Sequence, residues 1–227
     1  MTRLFGLDVQ TSEVSIPLGD SELQGHLSVP DGAQSVIVLA EGNGSGLINA
    51  ADSFLVQEAL HAGFAALQVD LYTRKELAED SHCGYLRFAV KRLNERLSGT
   101  VDWLFHQAAT QHMAVGLMGA STGAAAALMT AAGRPETIGA VVCRGGRPDL
   151  AGDLLQFVHA PTLLIVGEND QLVADLNREV LDRLPLKRQM IVIPGAGHLF
   201  EETGTLEQVA AAANQWFSDH LIPNLAA

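Results

Sequence analysis

Met113-Ala114-Val115-Gly116-Leu117-Met118-Gly119-Ala120-Ser121-Thr122-Gly123-Ala124-Ala125-Ala126-Ala127-Leu128-Met129 is the stretch on which the reading of the chain turns. Its first part, Ala114 to Met118, is an apolar run of the length of a buried strand. Its last part, Ala124 to Met129, consists of strong helix formers. Between them stands Gly119-Ala120-Ser121-Thr122-Gly123, a G-x-S-x-G pattern in the strand–turn–helix setting of a nucleophile elbow. A sharp turn there presents a serine hydroxyl at the carboxyl end of a strand. Side chains at the flanking positions would collide with the packed strand and helix, and Gly119 and Gly123 avoid this. The first turn of a helix directs its backbone N–H groups away from the intrahelical ladder, so the N–H of Thr122 is suited to a developing oxyanion.

Outward from this stretch, strands and helices alternate. Apolar runs at Ser35–Ala40, Phe64–Val69, Thr137–Cys143, Pro161–Val166 and Arg188–Ile193 predict strands. Helices are expected at Ala51–His61, Leu86–Gln107 (one helix, or two broken near Gly99), Asp149–Val158, Val173–Leu184 and Thr205–Leu221, with Trp216 and Phe217 anchoring the last to the sheet. Asp70 to Cys83 reads as a polar, irregular connection. Before the alternation begins, Glu13–Pro17 and Glu22–Val29 flank Gly19-Asp20 and predict an antiparallel hairpin. The expectation is a single α/β domain over residues 1–227: a mostly parallel sheet with an N-terminal antiparallel hairpin, helices on both faces, and no large cap domain, because the connection after Cys143 is short.

The 227 residues suffice for one sizeable core, and a net charge of −12 argues against nucleic acid and anionic membranes as partners. Two cysteines, Cys83 and Cys143, make no disulfide framework; Cys143 sits in an apolar run as a small buried hydrophobe. Neither metal-ligand spacing nor a membrane-length apolar run appears, and no basic segment followed by an apolar one marks the N-terminus. Cytoplasm is the expected compartment, with the chain as monomer or homodimer and no metal or organic cofactor.

Ligands of such sheets bind beyond the carboxyl ends of the strands. Ser121, Asp170 and His198 fall at three such ends. A serine hydroxyl is a weak nucleophile until a base takes its proton, and His198 is the base of choice. Asp170 is placed to fix the imidazole tautomer and stabilise its cation; Glu168 and Asp175 compete for that role, and Asp170 has an alternative use as a helix cap.

The order Ser, Asp, His resembles that of the α/β-hydrolase superfamily. The runs Leu39-Ala40-Glu41-Gly42, Gly119–Gly123, Arg144-Gly145-Gly146-Arg147-Pro148-Asp149-Leu150, Pro161–Gly167 and Gly197-His198-Leu199-Phe200-Glu201-Glu202 are similar to the dienelactone-hydrolase-like branch, over roughly Leu27 to Phe217. The resemblance implies ester-hydrolase chemistry on a small-molecule substrate. Dienelactone hydrolases carry a cysteine nucleophile, where this chain has Ser121. They bind substrate carboxylate through an arginine one turn after the histidine, where this chain has Glu202. They also place a glutamate near the nucleophile, which makes Glu41 a possible substrate contact beside Arg87 and Arg144. The loop after Ser35–Ala40 should supply the second oxyanion donor, Gly42 N–H first and Asn43 second. An esterase, lactonase, thioesterase or amidase would use the same three residues, and a silent binding protein is the remaining alternative. Gly42-Asn43-Gly44-Ser45-Gly46 faintly mimics a dinucleotide loop with Asp70 as its acid, but its spacing is wrong for G-x-G-x-x-G.

Overall fold

The computed structural model describes residues 2–4, 7–41, 49–80 and 89–221. Nine strands form one sheet in the order β1-β2-β3-β5-β4-β6-β7-β8-β9. They are β1 (Thr2–Leu4), β2 (Leu7–Leu18), β3 (Ser21–Pro30), β4 (Ser35–Glu41), β5 (Ala65–Asp70), β6 (Ala114–Ala120), β7 (Ile138–Arg144), β8 (Thr162–Gly167) and β9 (Arg188–Ile193). From β5 to β9 every neighbouring pair is parallel; β1, β2 and β3 add an antiparallel edge that joins the rest through β3 and β5. The expected mostly parallel sheet with an antiparallel N-terminal hairpin is therefore observed. The hairpin turns at Gly19-Asp20 as expected, but its strands are longer, and the short β1 joins its outer edge.

The central strands are apolar at successive positions because both sheet faces are covered. Val36, Val38, Leu117, Val141 and Leu164 point into one core, shared with α3 (Val90–Leu104) and α4 (Gly123–Gly133). Ile37, Leu39, Met118, Val142 and Ile165 point into the other, shared with α1 (Ala50–His61) and α6 (Thr205–His220). Phe217 is fully buried there and meets Phe64 edge-on at 6.3 Å, so the closing helix is anchored as expected. Cys143 is buried in the first core, and burial pushes its thiol up to about 12.

Two elements differ from the sequence reading. The connection after Asp70 is not irregular throughout: Arg74–Asp80 forms a short helix, α2. Its start is a capping box. Thr73 Oγ1 accepts the N–H of Glu76 at 3.2 Å, and the Glu76 carboxylate accepts the N–H of Thr73 at 2.9 Å. Arg96, buried on α3, grips the same carboxylate through both terminal nitrogens at 2.7 Å. Burial pushes the Glu76 carboxyl upward, but the hydrogen bonds from Arg96 and Thr73 outweigh it and hold the group at about 2. This contribution to stability is complete above the ordinary value of 4.5 and is lost as pH falls toward 2. Of the two forms expected for the next helix, the unbroken one is observed: α3 runs through Gly99, where a methyl group would meet Leu18 Cδ2 at 2.4 Å. The expected start of this helix at Leu86 lies outside the described residues. The second difference is Pro148–Phe157, a 3₁₀ segment interrupted at Gly152, whose φ is 57°.

Candidate functional site

Ser121 follows β6 directly and holds φ at 51°, a left-handed backbone unusual for a residue with a side chain. Such a conformation costs of order 1–3 kcal/mol and persists only where the surroundings impose it. Here they do. A methyl group at Gly119 would lie 2.4 Å from the Gly123 carbonyl oxygen, so strand and helix meet too closely for any side chain. The carbonyl of Ser121 accepts the N–H of Arg147 at 2.9 Å and that of Ala124 at 3.3 Å. Ala124 to Ala127 and Ala131 of α4 are fully buried, and their small side chains let the helix lie close to the sheet.

Asp170 ends the turn after β8 and occupies the N-cap position of α5 (Gln171–Arg183), yet its side chain makes no capping bond. Its Oδ2 lies 2.6 Å from His198 Nδ1 instead. A carboxylate at Nδ1 sets that nitrogen as the proton carrier and leaves Nε2 as the acceptor. The competing acids have other partners: Glu168 accepts the N–H of Gly195 at 2.7 Å, and Asp175 pairs with Arg178. Further bonds sew the loops after β8 and β9 together. Asn169 N–H donates to Ala196 at 2.9 Å, and Asn169 Nδ2 to Gly195 at 2.9 Å. Glu202 Oε1 accepts the N–H of Gly197 at 3.0 Å. Asp170 is 15% exposed and His198 51%, so the bond runs from a sheltered carboxylate to a ring open to solvent.

The turn after β7 lies between the serine and histidine segments. A methyl group on Gly146 would stand 3.1 Å from the Ser121 carbonyl oxygen, and one on Gly145 would stand 3.0 Å from that of His198. Two adjacent glycines thus allow both backbones to close on one turn. Asn177, fully buried on α5, donates Nδ2 to the Gly146 carbonyl at 3.1 Å and to that of Val173 at 2.8 Å. Both neighbours are acceptors, so the amide orientation is set, and Oδ1 is left buried with no partner. Nothing in the sequence marks Asn177, since its partner lies 31 residues away.

Arg144 ends β7 in register with Ala120, which is in register with Glu41 of β4. Its guanidinium donates to Asp52 Oδ1 at 2.9 Å, and Asp52 is 2% exposed. Asn49 caps α1 by accepting the Asp52 N–H at 2.7 Å, and its Nδ2 donates to Asp52 Oδ2 at 2.6 Å. Asp52 escapes a sequence reading because an acid in the first turn of a helix is an ordinary capping feature. Beside this pair opens a cleft of about 580 Å³, walled by Phe54 and Asn49 on one side and by Leu199 to Gly204 on the other. Asp70, the acid of the dinucleotide reading, is buried and accepts the N–H of its own neighbour Tyr72 at 3.0 Å; burial raises its carboxyl. Gly42, Asn43 and Arg87 lie outside the described residues, and Glu41 is described only as the last residue of its strand. Among the described residues, no helix is long and apolar enough to cross a membrane.

Known proteins share this fold. A dienelactone hydrolase from Anabaena variabilis is 44% identical and superimposes with a TM-score of 0.92, over 94% of this chain and 99% of that one. The esterase domain of a Rhodothermus marinus protein shares the fold alone, with a TM-score of 0.74 and 17% identity over 93% of this chain and 99% of that one. Two Mycobacterium tuberculosis proteins, from strains CDC 1551 and H37Rv, are each 45% identical over 213 residues and bear the name "putative phosphoribosyl transferase". The match takes in 94% of this chain but only 47% of theirs, so the chain spans about half the length of these curated relatives. The dienelactone hydrolase family model matches residues 23–221, and the chain belongs to that family, on the α/β-hydrolase fold.

Proposed function

We propose that the protein is a serine hydrolase that cleaves small carboxylic esters or lactones through an acyl-enzyme. The observation that carries this reading is the 2.6 Å bond between Asp170 and His198, formed after strands that run parallel to the one leading into the strained Ser121. His198 Nε2 takes the proton of Ser121 Oγ as that oxygen attacks the carbonyl carbon. Asp170 holds the imidazolium that results. The N–H of Thr122 and, from the loop after β4, that of Gly42 or Asn43 receive the oxyanion. His198 returns the proton to the departing alcohol, and water repeats the sequence on the acyl-enzyme. No large insertion separates Arg144 from Pro148, and an open cleft suits short acyl groups better than long ones.

A thioesterase, amidase or lactonase would use the same groups in the same order. The phosphoribosyl transferase name belongs to relatives about twice the length of this chain. Transfer from a phosphorylated ribose donor requires a site for several negative charges. A chain of net charge −12, with Glu201, Glu202 and Glu207 on its cleft, offers a poor one.

The test is hydrolysis of p-nitrophenyl acetate, butyrate and octanoate by the wild type and by Ser121→Ala, alongside labelling with a fluorophosphonate. Turnover and labelling that both collapse in the variant, by at least about 10⁴-fold in kcat, are expected. A wild type that neither turns over nor is labelled would overturn the reading in favour of a binding protein. A rate maximum at octanoate would overturn the short-acyl preference.

A further inference from the structure

We propose that the cleft beside His198 is a substrate subsite that admits uncharged groups and rejects carboxylates. The proposal rests on the serine-hydrolase reading above and names its substrate class.

The described lining of the cleft holds neighbours of the reacting residues, although not Ser121, Asp170 or His198 themselves. Leu199 and Phe200, which line it, directly follow His198, and Arg144, which also lines it, stands in register with the residue before Ser121. Its volume of about 580 Å³ is that of a small-molecule site. Phe54, Leu199, Phe200 and Leu206 give it apolar walls. Among the described lining residues Arg144 is the one cation, and its charge is met by the buried Asp52 at 2.9 Å. Glu201, Glu202 and Glu207 also line the cleft, and no described cation pairs with them. An anionic group entering the cleft therefore meets three carboxylates and one arginine already engaged. An apolar neutral group meets the walls and displaces water from them.

Two matched pairs test this: the p-nitrophenyl monoester of adipic acid against the same ester with its distal carboxyl methylated, and 4-acetoxyphenylacetate against its methyl ester. The first varies charge on the acyl side, the second on the alcohol side. In low salt the neutral member of at least one pair should have a kcat/KM about tenfold higher, and that pair identifies which half of the ester occupies the cleft. Raising the ionic strength to 1 M should narrow the gap in the unaltered protein, and Glu201→Gln with Glu207→Gln should narrow it in low salt. Thermal transitions of the variants establish that they are folded. A preference for the anionic member, or equal rates within both pairs, overturns the proposal and leaves the serine-hydrolase reading intact. A gap that neither salt nor the substitutions alter overturns it as well. Turnover of none of the four esters overturns this proposal, and a protein that also resists fluorophosphonate labelling loses the serine-hydrolase reading with it.

Discussion

The elbow at Ser121 and the loop carrying His198 each contain one non-glycine residue in left-handed backbone, Ser121 at 51° and Phe200 at 58°, yet they hold it by different means. At the elbow the strain is locked by packing. β6, Ser121 and α4 are consecutive, the helix opens with four buried alanines after Gly123, and no room remains at Gly119 for a methyl group. In the histidine loop the strain is held by a buried ring and a set of polar contacts. Phe200 is 2% exposed, and a methyl group on Gly145 would stand 3.1 Å from its ring. Around it, Glu202, Glu168 and Asn169 bond to the backbone of residues 195–197. Packing makes the elbow rigid at the cost of tolerating almost no substitution. Hydrogen bonds leave His198 half-exposed on a loop whose position depends on several carboxylates. The first arrangement suits the nucleophile proposed at Ser121, and the second is compatible with the proton-shuttling role proposed for His198.

Substitutions on the two sides should therefore fail differently. Asp170→Asn should have the largest effect. It preserves shape but takes away the charge and favours the wrong tautomer of His198, and kcat should fall about 10⁴-fold with little change in KM or melting temperature. A loss under tenfold would mean that Asp170 does not act on the histidine. Gly119→Ala comes next and should act on stability. The added methyl lies 2.4 Å from a backbone oxygen, so strand and helix must separate, at about 3 kcal/mol in denaturant titrations. An unchanged midpoint would show that the elbow is not rigid. The smallest effect is expected of Glu202→Gln, which weakens the bond to Gly197 N–H without emptying the space. It should lower kcat/KM roughly tenfold, with fluorophosphonate labelling slowed in parallel and the melting temperature nearly unchanged. An effect on stability alone would make Glu202 a purely structural brace.

Legibility in the sequence follows the same division. The elbow was readable because its parts are adjacent in the chain: the apolar run, G-x-S-x-G and the alanine helix are one local pattern with one geometric solution. Asp170 and His198 were readable because each follows a strand-like run, and the carboxyl ends of parallel strands lie on one side of a sheet. The helix at Arg74–Asp80 was missed although its capping box, Thr73 to Glu76, is a local signal; the polar composition around it concealed the pattern. Asp52, Asn177 and the loop-bracing use of Glu202 left no comparable trace. The partner of Asp52 lies 92 residues away and that of Asn177 lies 31 residues away, and both meetings depend on how helices settle on the sheet.

The sequence by itself determined the alternation of strands and helices, the two-faced burial of the central strands and the strained serine, because short-range sterics and hydrophobic pattern suffice for these. Only the tertiary structure decided which acid meets His198, that Arg144 is engaged by Asp52, and that three glutamates line the cleft. Those outcomes rest on distances between residues far apart in the chain. An interaction of a few kcal/mol depends on separations of an ångström, which follow from packing the whole sheet and its helices at once.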